Sequence, residues 1–295
     1  MDLYKMQNFR KFASLLVPFV TGVVDEIRPS AIENAGQIPL SVAAEPHFDD
    51  DLGPRKKEAK TAFADSLALT SSINNDNTAF DATPGTKAYN LFNKYFENTQ
   101  EARDHVQIVF NNIIKRGQGS FFFEKLYIQR TEPDRKQDCV ADGEGANSPI
   151  AYLSMSNPHQ GAIMVMCDKV WKYKALGDIT CKEVGDEVSG RMATLGSTFL
   201  HEFTHWFPLV EGYNFPGIID FDEPGYGPVN TVSFNRDHPR DTLRNADSYR
   251  WFAIEHYWAL KCRPKATDAA FLPATDNSER ACQDCRVKEK CCCIM

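Results

Sequence analysis

The chain has 295 residues, with 33 Lys and Arg against 40 Asp and Glu and a formal net charge of -7. Its length suits one large domain or two small ones, and 42% hydrophobic with 25% charged residues is ordinary for a soluble globular protein. The acidic balance and the lack of a basic stripe argue against nucleic acid as a partner, and no apolar run approaches the roughly 20 residues needed to span a bilayer.

Lys5, Arg10 and Lys11 precede Phe12–Val24, an apolar stretch broken by Pro18. Its length suits a secretory h-region, and Val20 with Gly22 supplies a small-residue cleavage site. Residues 1–24 are therefore expected to be a signal peptide and the protein to be secreted. Residues 25–55, rich in Pro, Ala, Asp and Gly, read as an irregular leader. Arg55–Leu69 has helical composition. Lys87–Asn98 and Glu101–Lys115 each repeat apolar residues at helical spacing, through Leu91, Phe92, Tyr95 and Phe96, then Val106, Val109, Phe110 and Ile113.

The period then changes. Ser120–Gln129 is aromatic and β-branched and reads as a strand. A loop rich in Asp, Gly, Pro and Asn follows over Thr131–Pro149, with short strands expected at Ile150–Ser154 and Ala162–Met166. Helices are expected at Arg191–Phe207 and Asn245–Leu260, with a Gly/Pro-rich loop at Gly212–Pro228 between them. Helices first, then strands and helices mixed, predict an α+β fold.

Inside the helix at Arg191–Phe207 stands Ser197-Thr-Phe-Leu-His-Glu-Phe-Thr-His-Trp206. Positions i and i+4 of a helix share one face, so His201 and His205 can offer imidazole nitrogens to one metal ion. Zinc takes such ligands at about 2.0–2.1 Å in tetrahedral geometry. Glu202, displaced around the helix, can take a proton from zinc-bound water and return it to a leaving amine. Leu195, Phe199, Phe203 and Trp206 anchor the other sides, and the small Ala193, Gly196 and Ser197 allow close packing. The longer HExxHxxGxxH pattern fails: Pro208 stands where Gly is needed and Glu211 where a third His would be. The third ligand must come from elsewhere.

Downstream stands Gly217-Ile-Ile-Asp220-Phe-Asp222-Glu223-Pro-Gly-Tyr226-Gly227, and later Asn245-Ala-Asp-Ser-Tyr-Arg-Trp-Phe-Ala253. With HExxH, these segments resemble the deuterolysin family, the aspzincins, which include the fungal peptidyl-Lys metalloendopeptidases. The likeness covers about residues 140–260. It implies a zincin-like α+β domain, with a helix-rich N-terminal half, a small antiparallel sheet and the HExxH helix. It also implies one zinc ion, a peptide or protein substrate, and an Asp as third ligand. Aligned on Gly217 that slot falls on Asp220; aligned on Tyr226-Gly227 it falls on Glu223, and Asp222 lies between. Asp220 keeps both the Gly and the short carboxylate and is the favoured choice. Tyr226 would then hydrogen-bond the developing oxyanion. Asp247 would either orient a ligand histidine or cap its helix.

The expected layout is a leader over 25–55, one catalytic domain over 56–265 and a Cys-rich tail over 266–295. Cys139, Cys167, Cys181 and Cys262 lie in the body and five cysteines in the tail, so an odd total leaves at least one thiol unpaired within the monomer. The final Cys292-Cys-Ile-Met295 resembles a prenylation box, which would instead make the protein cytosolic and membrane-tethered. The expected function is zinc-dependent endopeptidase. The alternative is a zincin-like binding protein that no longer cuts.

Overall fold

A computed structural model of the chain describes residues 45–114, 123–130, 139, 150–157, 161–206, 217–265 and 267–277. Three helices come first: α1 (Lys56–Asn75), α2 (Lys87–Tyr95) and α3 (Gln100–Ile114). The apolar repeats explain them. Phe92 and Tyr95 of α2, then Val106, Val109, Phe110 and Ile113 of α3, are buried where the period puts them. α1 runs six residues past the expected end at Leu69, through a Ser- and Asn-rich turn of low helix propensity. Its hydroxyls compensate locally, since Thr70 donates to the Ser66 carbonyl and Ser72 to the Leu69 carbonyl.

Four strands form one sheet: β1 (His47–Phe48), β2 (Leu126–Gln129), β3 (Ala151–Asn157) and β4 (Gly161–Met166), in the order β1-β2-β4-β3. The sheet is mixed rather than antiparallel. β1 with β2 and β2 with β4 are parallel, and β3 with β4 is antiparallel. Connection length is the reason: three residues join β3 to β4, whereas the whole of α1–α3 lies between β1 and β2. β1 sits within the stretch 25–55 expected to be irregular. The strand expected over Ser120–Gln129 begins only at Leu126, after a 3₁₀ turn at Phe123–Lys125. That turn drives Phe123 into the core, 5.1 Å from Phe63 and 5.0 Å from Phe203 between ring centroids.

The second half holds α4 (Cys181–Val184), α5 (Leu195–Thr204), α6 (Asp222–Gly225), α7 (Pro228–Asp237) and α8 (Ala246–Cys262). α5 starts at Leu195, not Arg191, because Thr194 caps it: the Thr194 side chain accepts from the Ser197 N–H and the Ser197 hydroxyl accepts from the Thr194 N–H. Neither α6 nor α7 was expected. Pro228 opens α7, a position where its missing N–H costs nothing.

Every residue of α5 is buried. It packs between α1 and α8 and beneath β3. A Cβ on Gly196 would lie 2.4 Å from the Asp65 Cβ and 2.9 Å from the Ser66 nitrogen, so α1 and α5 meet backbone to backbone. Phe63, Phe123, Phe203 and Trp206 close one end of this core. Phe92, Phe96, Phe110, Tyr249 and Phe252 close the other. Each such ring contributes on the order of 2 kcal/mol through burial. Disulfides Cys139–Cys167 and Cys181–Cys262 pair the four body cysteines. The stretch 1–24, most of the Thr131–Pro149 loop, Glu211 and the tail cysteines lie outside the described residues.

Candidate metal centre

α5 delivers His201 from its last turn and His205 as its C-cap, whose φ of -73° and ψ of -15° keep it on the helical track. The extended segment after Gly217 delivers the third group. Ile219 N–H donates to the Arg244 carbonyl (2.7 Å) and Ala246 N–H donates to the Ile219 carbonyl (3.1 Å), which straps residues 218–220 beside the start of α8. The donor atoms then converge. His201 Nε2 lies 3.3 Å from His205 Nε2 and 3.0 Å from Asp220 Oδ1, and His205 Nε2 lies 3.5 Å from the same oxygen. Ligands at 2.0–2.1 Å around a tetrahedral ion stand about 3.3 Å apart, so this triangle fits zinc.

The far side of each ring is hydrogen-bonded as well. His201 Nδ1 lies 2.9 Å from Asp247 Oδ1, and His205 Nδ1 lies 3.1 Å from the Ile218 carbonyl. Both acceptors require a proton on Nδ1, which leaves the two Nε2 lone pairs aimed at one point. Asp247 is fully buried, and its second oxygen accepts the Gly227 N–H at 2.7 Å. It therefore orients His201 and does not cap α8, whose N-cap is Asn245.

Charge balance in the cluster follows from burial and proximity. Burial disfavours a charged His201, but the Asp220 and Asp247 carboxylates outweigh it and hold its pKa well above the usual value. His205 is raised in the same way by Asp220 against burial. Burial pushes Asp220 up, but the two imidazoles prevail and hold it far below the usual carboxylate range. Glu202 is 3% exposed, and burial raises its pKa against the pull of His201, His205 and Arg250. Tyr226 stands with its hydroxyl 3.4 Å from His201 Nε2. Burial, then Asp247, Asp220 and Glu202, raise its pKa well above 10, so the phenol stays protonated as a donor.

All five expected site residues thus meet in one place. The Asp220 side chain is 44% exposed against 3% for His201, so the cluster opens to solvent on the Asp220 side. Among the described residues, His201, His205 and Asp220 form the one group of three able to hold a metal ion. Asp222 and Glu223 open α6, and their side chains lie outside the described residues. Two supports had no sequence signal: the Ile218 carbonyl and the Gly227 N–H are backbone groups. The pair Asp247 and Arg250, three apart on α8 and 3.5 Å apart in space, did carry one, since opposite charges three apart share one helical face.

Among solved structures the chain is similar to a zinc peptidase from Grifola frondosa, at 15% identity and a TM-score of 0.43, over 68% of this chain and 96% of that one. No curated protein matches it. The aspzincin family, described as lysine-specific metallo-endopeptidase, matches residues 80–254. That span covers more than half of the 295 residues and contains His201, Glu202, His205, Asp220 and Tyr226, and the chain belongs to the aspzincin family of metalloendopeptidases.

Proposed function

We propose that the protein hydrolyses peptide bonds with one zinc ion held by His201, His205 and Asp220, and with Glu202 as general base. The observation that carries this reading is the convergence of two lone-pair nitrogens and one carboxylate oxygen beside a buried glutamate. When bound, zinc supplies a Lewis acid that lowers the pKa of water toward neutral and polarises a carbonyl. Glu202 takes one proton from the attacking water as the oxygen adds to the scissile carbonyl carbon. It then returns that proton to the amide nitrogen as the C–N bond breaks. Burial suits Glu202 to both steps, because a raised pKa brings proton uptake and release closer to balance. Tyr226 donates its phenolic proton toward the carbonyl oxygen as negative charge develops there. Asp247 fixes the His201 ring throughout.

Two disulfides support an oxidising compartment, and we read the chain as secreted through residues 1–24. N-terminal sequencing of exported protein tests that, since a mature chain still carrying Met1 would overturn it. The mechanism is tested with Glu202→Gln. The variant should bind zinc as the parent does and lose about 10²–10⁴ in kcat. Peptide cleavage at the parental rate would refute the assignment of Glu202. Cleavage by the parent that survives thorough chelation would refute the zinc.

A further inference from the structure

Arg244 ends the 3₁₀ turn Pro239–Arg244 that leads into α8. Its carbonyl accepts the Ile219 N–H, so its backbone is tied to the segment that carries Asp220. Its guanidinium carbon lies 5.7 Å from the ring centroid of Phe221, the residue after Asp220. Phe221 in turn packs on Phe234, with centroids 4.8 Å apart, so the platform is fixed. The Arg244 Nε is buried and has no hydrogen-bond partner, and among the described residues no carboxylate oxygen lies within 4.0 Å of the guanidinium. Arg250 differs: it is 1% exposed and faces Asp247, out of a substrate's reach.

A cation held against the aromatic ring of the residue that follows Asp220, with no carboxylate beside it among the described residues, is prepared for an anion. Guanidinium binds carboxylate through a planar two-pronged pair, and stacking removes most of the freedom that such binding would otherwise cost. Through Phe221, the guanidinium lies at most about 15 Å from the Asp220 Cα, the reach of about four residues of extended peptide.

We infer that Arg244 is a substrate-docking residue that receives a carboxylate of the peptide within about four residues of the scissile bond. The carboxylate is either an acidic side chain or a free C-terminus. A lysine carried to that point would meet a like charge. This inference rests on the peptidase function proposed above and names a substrate class for the same site.

The test separates the two. Peptide binding is measured by isothermal titration to the zinc-loaded full chain carrying Glu202→Gln, so no turnover is needed. Paired peptides differ only in Glu against Gln at each of the second, third and fourth positions on either side of the scissile bond, or in a free against an amidated C-terminus. One pair should show about tenfold tighter binding of the anionic member, the typical scale for a single partly exposed charged contact. That ratio should fall to near one when Arg244→Gln is added, and to an intermediate value with Arg244→Lys, which keeps charge but not the fork. A preference confined to the Glu/Gln pair assigns the side chain, and one confined to the acid/amide pair assigns the terminus. Equal binding of all pairs, or a preference that survives Arg244→Gln, overturns the inference. If the parent cuts no peptide while the Arg244-dependent preference stands, the peptidase mechanism fails and the docking role does not.

Discussion

Asp247→Asn is the substitution that asks most of the metal centre, because it keeps shape and removes only the second acceptor. The carboxylate of Asp247 receives His201 Nδ1 on one oxygen and the Gly227 N–H on the other, at 2.9 and 2.7 Å. An asparagine has one acceptor and one donor in the same place, so it must point its NH₂ at one of these two N–H groups. If it opposes His201, the ring loses its orientation and the Nε2 lone pair leaves the cluster. If it opposes Gly227, the turn beside Tyr226 opens. Removing such an outer partner costs 10–100-fold in metal affinity, about 1.4–2.7 kcal/mol. A charge-assisted hydrogen bond lost and a buried N–H left unpaired together cost about 3 kcal/mol of fold stability. For a domain of this size that is a fall of about 6–12 °C in Tm. Competition titration against a chromophoric chelator gives the affinity, and calorimetry gives the Tm. A variant that binds zinc as tightly as the parent would show that Asp247 does not orient His201.

Three further outcomes follow from the same geometry. Zinc affinity should fall as pH drops: His201 and His205 have raised pKa values, so protons compete for the nitrogens that ligate, and affinity should level off only above those pKa values. A zinc dissociation constant that is flat from pH 5 to 8 would contradict this. Asp65, half-buried on α1, accepts the Leu176 N–H, and burial raises its pKa from 3.8 to about 6. The folded protein thus holds this proton more tightly than the unfolded chain, and stability declines as pH rises from about 4 to about 6. At about 1.4 kcal/mol per pH unit the ceiling is about 3 kcal/mol, and partial exposure reduces the expected value to about 1. Asp65→Asn keeps the acceptor and should remove that decline in urea titrations at pH 4 and 7; an unchanged pH dependence would refute it. Gly196→Ala pushes a methyl into the α1 backbone and should cost about 1–3 kcal/mol by chemical denaturation. No measurable loss would mean that α1 and α5 can separate freely.

The local sequence determined a good part of this protein. The spacing of His201, Glu202 and His205 sets two nitrogens on one helical face in any fold that keeps the helix, because the helical repeat alone does that. The apolar periods of α2, α3 and α8 likewise write their own buried faces. Ends and registers were less legible. α1 outran its apolar pattern because hydroxyl-to-carbonyl bonds sustained a polar turn, and α5 started late because Thr194 and Ser197 cap each other. The mixed sheet was hidden because parallel pairing joins strands far apart in the chain. The spacing from Gly217 favoured Asp220, but its approach to the two histidines belonged to tertiary structure. Asp220, Asp222 and Glu223 differ little as letters, and Asp220 reaches both histidines because Ile219 is bonded on both sides to Arg244 and Ala246. That bridge links residues 25 positions apart, Ile219 to Arg244, and no local pattern encodes it. The same bridge sets Arg244 against Phe221. Helical spacing could specify two corners of the site; only the packing of α8 against the Gly217–Asp220 segment could supply the third.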